Sequence, residues 1–333
     1  MILKLNEEKI FVAGATGMVG SSVCRKLMKI NANSKRFENF VLTPNRSQLD
    51  LLNHEKVMDW FERNKPSIVI IAAAKVGGIL ANSQQPANFI LENLKIQTNI
   101  IESAWRSGTK RLLFLGSSCI YPRITPQPIK EEYLLSGNLE NTNLSYAIAK
   151  IAGIKLCESL RVQYGFDAIS LLPTNLFGPN DNYHAKNSHV MAALIQKFCL
   201  AKEESLDKVT CWGSGSPLRE FMHVDDLADA IIFCLENWDP DSSRAPKDSK
   251  GNKLYHLNVG TGKDISIKDL AETISDTIDY KGGIIWDKTK PDGTPRKLLD
   301  TSGLSSLGWS PKIKFNDGVK MTIDDFISNN FKK

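Results

Sequence analysis

A chain of 333 residues with 42 basic and 37 acidic side chains, for a formal net charge of +5, is long enough to bury a large core in two lobes and short for three. Acids and bases are mixed along its whole length, which excludes a basic nucleic-acid arm and leaves a mildly positive surface suited to an anionic small molecule. Its six cysteines have neither the CxxC spacing of a zinc or redox site nor the density of a secreted disulfide scaffold, so reduced thiols are expected.

The segment from Met1 to Lys9 carries charges where a secretory signal would need an apolar stretch, and no apolar run approaches membrane-spanning length. A cytoplasmic location is expected, with no membrane and no nucleic-acid partner. In chain order, short β-rich runs at 10–13, 40–43, 68–73, 112–116 and 168–172 alternate with helical patterns at 18–29, 88–107 and 146–164. The strands are apolar throughout, as when helices cover both faces of a parallel sheet. Gly165 is placed to cap the last helix. After Pro173 the rhythm loosens into loop-rich stretches at 178–188, 213–217 and 291–295, which reads as a substrate-binding lobe. The polar segment 238–252 reads as an exposed loop of little functional weight.

The first strand runs into Gly14-Ala15-Thr16-Gly17-Met18-Val19-Gly20, a turn whose glycines let the backbone approach a pyrophosphate at a helix N-terminus. The fold expected is therefore α/β: a Rossmann-type doubly wound parallel sheet from 1–173 with 223–261, and a smaller, discontinuous α/β substrate lobe from 174–222 with 262–333. A site for NAD usually carries an acid at the end of the second strand. Here that stretch reads Val41-Leu42-Thr43-Pro44-Asn45-Arg46. The missing acid favours NADPH, with Arg46 either the contact to the 2′-phosphate or a plain surface arginine.

Tyr146 and Lys150 are spaced i, i+4 on one helix and so share a face. A neighbouring ammonium would stabilise the phenolate and make the phenol a usable proton donor, although such a pair is also common on helix surfaces. Gly116-Ser117-Ser118-Cys119-Ile120-Tyr121-Pro122 follows the fourth strand, where an open α/β sheet places its ligands. If that strand continues, Ser117 and Cys119 project to the same side. Taken by itself, Cys119 beside the serine reads as a buried small hydrophobe.

Glycine turn, strand-end serine and YxxxK in this order resemble the extended short-chain dehydrogenase/reductases. The runs AAAKVGGI at 72–79, GSSCIYP at 116–122, YAIAKIAGIKLCES at 146–159, PTNLFGP at 173–179, WGSGSPLREFMHVDD at 212–226 and KPDGTPRKLLD at 290–300 resemble, more narrowly, the GDP-L-fucose synthase family. The resemblance implies epimerisation of GDP-4-keto-6-deoxy-D-mannose at C3 and C5, then reduction of the C4 ketone with NADPH. It implies Ser117, Cys119, Tyr146, Lys150 and His189 as catalytic groups, His189 being the acid opposite the Cys119 base. It places the cofactor against the glycine turn (Gly14, Thr16, Gly17, Met18, Val19, Gly20), Arg46, the strand end Leu115, Gly116, Ser117 and Ser118, then Tyr146 and Lys150, and finally Pro173, Thr174, Asn175, Leu176 and His189. Substrate contacts are implied at Ser117, Ser118, Cys119, Asn175, Lys197, Trp212, Arg219 and Asp292. Ala15-Thr16 departs from members that carry a basic residue in the glycine loop, which leaves the strength of the NADPH preference open. No metal is implied.

Other enzymes of the superfamily remain alternatives. A 4,6-dehydratase needs an acid pair where Ser118 and Cys119 stand, whereas a simple 4-epimerase or 4-reductase needs no base at Cys119. A non-catalytic dinucleotide sensor would have no use for the five catalytic candidates together. Helices 88–107 and 146–164 are apolar around much of their circumference (Ile90, Leu94, Ile96, Ile100 and Ile101 in the first), so a homodimer through a helix bundle is expected, as in the family.

Overall fold

The structure, a computed structural model, describes residues 4–30, 40–184, 188–290 and 292–330. Asn187, Pro291 and the outermost ends of the two expected lobes lie outside the described residues. The chain runs β1 (Ile10–Ala13), α1 (Met18–Ile30), β2 (Val41–Leu42), α2 (His54–Asn64), β3 (Ile68–Ile71), α3 (Ile79–Gln84), α4 (Pro86–Arg106), β4 (Arg111–Leu115), α5 (Leu144–Tyr164) and β5 (Ala168–Pro173). It continues with β6 (Asn175–Phe177), α6 (Val190–Glu203), β7 (Lys208–Trp212), β8 (Leu218–His223), α7 (Val224–Asn237), β9 (His256–Val259), β10 (Asp264–Ser266), α8 (Ile267–Ile278), β11 (Gly283–Asp287), β12 (Arg296–Lys297), α9 (Ser302–Ser306) and α10 (Phe315–Asn330).

Six strands form one parallel sheet in the order β2-β1-β3-β4-β5-β9. Successive strand residues go to opposite layers. Ile10 and Val12 pack with Val23 and Leu27 of α1 and Leu227 and Ile231 of α7. Phe11 and Ala13 pack with Val57 and Phe61 of α2, Ile100 and Ala104 of α4, and Ile151 and Ile154 of α5. Both faces are therefore covered, which is why the strands show no polar alternation. The doubly wound α/β expectation holds. A second set of strands pairs β10-β8-β12, with β6 also on β8, and β7 pairs β11. Its core joins α6, α8 and α10 through Phe198, Ile274 and Val319.

The expected strands fall within a few residues of those found, β1 with identical bounds. The second strand shrinks to Val41–Leu42. Helix α5 ends at Gly165, whose φ of +68° suits a residue without a side chain. One expectation is corrected. The segment 238–252 is not merely an exposed loop, because Trp238 is fully buried in the core that α1 and α7 share. Asp241 accepts Arg161 Nη1 at 2.6 Å and Ser249 donates to Glu132. A polar average over the segment conceals the one aromatic that anchors it. All six cysteines are free thiols. Among the described residues no helix is long and apolar enough to cross a membrane.

Candidate active site

The C-terminal ends of the parallel strands converge on one edge of the sheet, and the candidate groups lie along it. At the end of β1, Gly14 has φ +83°, and a Cβ there would lie 2.7 Å from the Ala73 nitrogen. A Cβ on Gly20 would collide with the Gly14 carbonyl oxygen. These glycines let α1 start directly against the turn, while Thr16 and Gly17 face solvent. The first N–H groups of α1, from Met18 to Gly20, have no partner within the helix and suit a pyrophosphate. This cradle fits a dinucleotide. Arg46 is exposed at the matching end of β2, in a turn held by Asn45 Oδ1, which accepts from the Ser47 and Gln48 nitrogens at 3.0 and 3.1 Å.

Strand β4 ends at Leu115, and Ser117 then caps a short 3₁₀ turn, Ser118–Ile120, its hydroxyl accepting the Cys119 N–H at 3.2 Å. The expectation that Cys119 shares a continuing strand with Ser117 is therefore corrected. The turn reaches a similar juxtaposition by another route. Ser117 lies close enough to the Tyr146 phenol to favour its ionised form, and Cys119 lies near enough for its charge to act on both Tyr146 and Arg219. Ser118 is buried.

Lys150 is 4% exposed, and its Nζ donates to the Leu115 carbonyl oxygen at 2.8 Å while lying 6.0 Å from the Tyr146 ring centroid. Burial pushes its pKa down to about 7. For Tyr146, burial and then Cys119 raise the pKa well above the ordinary phenol value, against the lowering effect of Ser117. The expected depression of the phenol by the lysine is thus reversed, because desolvation outweighs any charge effect from an amine committed to a backbone carbonyl.

Pro173 ends β5 and is buried, as is Thr174 after it, and Asn175 and Leu176 are partly buried at the start of β6. Thr174 Oγ1 and Asn175 Nδ2 both donate to the Glu220 carbonyl, at 3.1 and 2.8 Å. Arg219 is half-buried beside Asp292 and Gly293. Asp292 in turn accepts from the Ser214 nitrogen and hydroxyl at 2.9 and 2.7 Å, which ties the loop after β7 to the loop before β12. Trp212 is 62% exposed rather than a core residue. Lys197 and Lys290 lie 5.5 and 5.7 Å from its ring centroid, and Lys197 also donates to the Thr210 carbonyl. His189 is exposed at the N-terminus of α6. No hydrogen bond among the described residues joins its ring to Ser117, Cys119 or Tyr146.

Three site-adjacent residues escape sequence reasoning. Lys290 beside Trp212 is one. Glu220, fully buried, accepts the Thr261, Gly262 and Leu299 N–H groups at 2.6, 2.7 and 3.0 Å and so locks the neighbourhood of Arg219. Asn258 is the third. The partners of Glu220 and Asn258 are mostly distant in the chain, which leaves no local signal.

Residues 10–250 match the NAD dependent epimerase/dehydratase family. The chain belongs to it. Among epimerase/dehydratase family members it is 52% identical over 321 residues to GDP-L-fucose synthase 1 of Arabidopsis thaliana, covering 96% of this chain and 94% of that one. It is 46% identical over 325 residues to GDP-L-fucose synthase of Escherichia coli (strain K12), covering 98% of each. Among solved structures it is similar to a GDP-mannoheptose C4 reductase from Campylobacter jejuni with NADP bound, with TM-score 0.84, 36% identity, and 97% of this chain and 99% of that one covered. The resemblance drawn from the motifs thus extends over nearly the whole chain.

Proposed function

We propose that the chain converts GDP-4-keto-6-deoxy-D-mannose to GDP-L-fucose by epimerising C3 and C5 and reducing the C4 ketone with NADPH. The observation that carries this is the convergence of Ser117, Cys119 and Tyr146 beyond β4, with Arg219 close to the thiol. The C3 and C5 hydrogens flank the ketone, so Cys119 can remove either one to give an enolate whose charge gathers on the C4 oxygen. Ser117 and Tyr146 donate hydrogen bonds to that oxygen. His189 returns the proton on the opposite face, which inverts the carbon. NADPH, when bound against the glycine turn, supplies the hydride to C4. Tyr146 then gives its proton to the new alkoxide, and Lys150 stabilises the phenolate left behind. A phenol held above its ordinary pKa keeps its proton until the alkoxide forms.

The second lobe, 174–222 with 262–333, is assigned to the nucleotide. Arg219 and Lys197 suit diphosphate oxygens, Trp212 offers a flat face to the base, and Asp292 holds the loop beside them. The first lobe, 1–173 with 223–261, is assigned to the cofactor, with Arg46 on the 2′-phosphate. The outer faces of α4 and α5 expose Leu91, Ile148 and Val162, which supports a homodimer through these helices. Free thiols fit a reducing cytoplasm.

Similarity to a C4 reductase supports a second reading, reduction without epimerisation. Incubation with NADPH and the keto sugar, followed by NMR of the product, separates them. GDP-L-fucose is expected, and a product of unchanged C3 and C5 configuration would leave only the reductase.

A further inference from the structure

Cys119 sits on a three-residue turn, and its aim depends on what holds the far end of that turn. Tyr121 closes the turn and is buried, and its hydroxyl donates to Asn258 Oδ1 at 2.7 Å. Asn258, in β9, has no exposed surface. Its Nδ2 donates to the carbonyls of Ile129 and Asp300 at 2.8 and 3.1 Å, and its backbone N–H donates to Glu131 Oε1 at 2.9 Å. Glu131 is itself buried, and its carbonyl meets His256 Nε2 at 3.2 Å. At the near end, Asn143 Nδ2 bonds the Cys119 carbonyl at 3.4 Å, three residues before Tyr146.

The cysteine turn is thus tied to buried polar groups at Tyr121 and to the partly buried Asn143 at the Cys119 carbonyl. Asn258 also grips Asp300, at the end of the segment that begins with Asp292 in the nucleotide lobe. A side chain whose donors and acceptor are all engaged has one orientation available, and each partner left unpaired carries a desolvation cost. The tie therefore fixes the backbone of the turn that carries Cys119.

We propose that Tyr121 and Asn258 are positioning residues for epimerisation, holding Cys119 against the carbon-bound protons and linking its turn to the segment that carries Asp292. This rests on the assignment of Cys119 as the base. It predicts that the proton-exchange half of the reaction is sensitive to the tie, whereas hydride transfer is not, since Tyr146 and Lys150 are held by α5 and by Leu115.

The test uses Tyr121→Phe in the full chain, with two readouts. One is deuterium incorporation at C3 and C5 of the keto sugar in deuterated water. The other is single-turnover reduction of NADP by GDP-L-fucose, which needs no carbon-bound proton removed. Loss of one buried hydrogen bond predicts exchange about tenfold slower, with the hydride step and the affinities for GDP and NADP unchanged. Exchange at the wild-type rate would overturn the proposal, as would a proportional fall in both readouts, which marks a general structural loss. Asn258→Ser is read the same way if Tyr121→Phe does not fold. A wild-type chain that incorporates no deuterium would instead sink the epimerase assignment itself.

Discussion

The Lys150 ammonium bonds the Leu115 carbonyl oxygen at 2.8 Å, which joins the middle of α5 to the last residue of β4. That single contact brings the YxxxK helix and the serine-bearing strand end to a common point. It also holds the lysine in a place where burial lowers its pKa to about 7.

Because the folded value lies below the ordinary lysine value, the ammonium is present below about 7 and lost above it, whereas the unfolded chain keeps its proton to much higher pH. Ketone reduction that depends on this charge should have a kcat/KM that falls as pH rises through about 7, since that parameter reports the free protein. In the same window, between the folded and unfolded values, stability should rise with pH, and Lys150→Met should remove that slope. A kcat/KM that stays level from about pH 6 to about pH 9 would show that the charge on Lys150 does not enter.

Arg219 lies in β8, close to Asp292 and Gly293, where the proposed function places the nucleotide diphosphate. Arg219→Ala should weaken GDP binding by about ten- to a hundredfold, the cost of a charge-assisted hydrogen bond, and leave NADP binding nearly unchanged. Separate calorimetric titrations of the two nucleotides check this. Equal losses would make the arginine structural.

Arg46 stands exposed at the end of β2 with no acid beside it in the turn. Arg46→Ala should lower kcat/KM for NADPH by about tenfold or more while NADH changes little, because only the 2′-phosphate gives the guanidinium a partner. Matching effects on both cofactors would place the arginine outside the phosphate site.

On the outer side of α4 and α5, Leu91, Ile148 and Val162 are 53%, 43% and 69% exposed. A charge at the centre of a helix-bundle interface is costly to bury, so Ile148→Glu should convert a dimer to a monomer in sedimentation velocity. A wild-type chain that sediments as a monomer would remove the dimer altogether.

Much of the sheet is legible because its strands are buried on both faces: Ile10, Phe11, Val12 and Ala13 have no polar neighbour to disguise them. Ser117, Tyr146 and Lys150 are legible as well, since strand-end and i, i+4 positions are local properties. Cys119 is half-legible. Its place beside Ser117 is local in the chain, but its 3₁₀ turn could not be foreseen, because the turn depends on the Ser117 cap and on the Tyr121 contact with Asn258, far along the chain. Glu220 is hidden for the same reason, its partners being backbone groups at 261, 262 and 299. The raised pKa of the Tyr146 phenol needed its tertiary surroundings, which spacing on a helix does not reveal.

In the proposed reaction Cys119 handles carbon-bound protons while Tyr146 handles the oxygen, and solvent deuterium separates the two most directly. In deuterated water with the keto sugar and NADPH, Cys119→Ser should bind the cofactor normally yet place little deuterium at C3 or C5, since a serine hydroxyl is a far weaker base than a thiolate. Tyr146→Phe should keep some exchange while hydride transfer falls by about a hundred- to a thousandfold, the usual cost of one oxyanion donor. Exchange at the wild-type rate in Cys119→Ser would show that Cys119 is not the base.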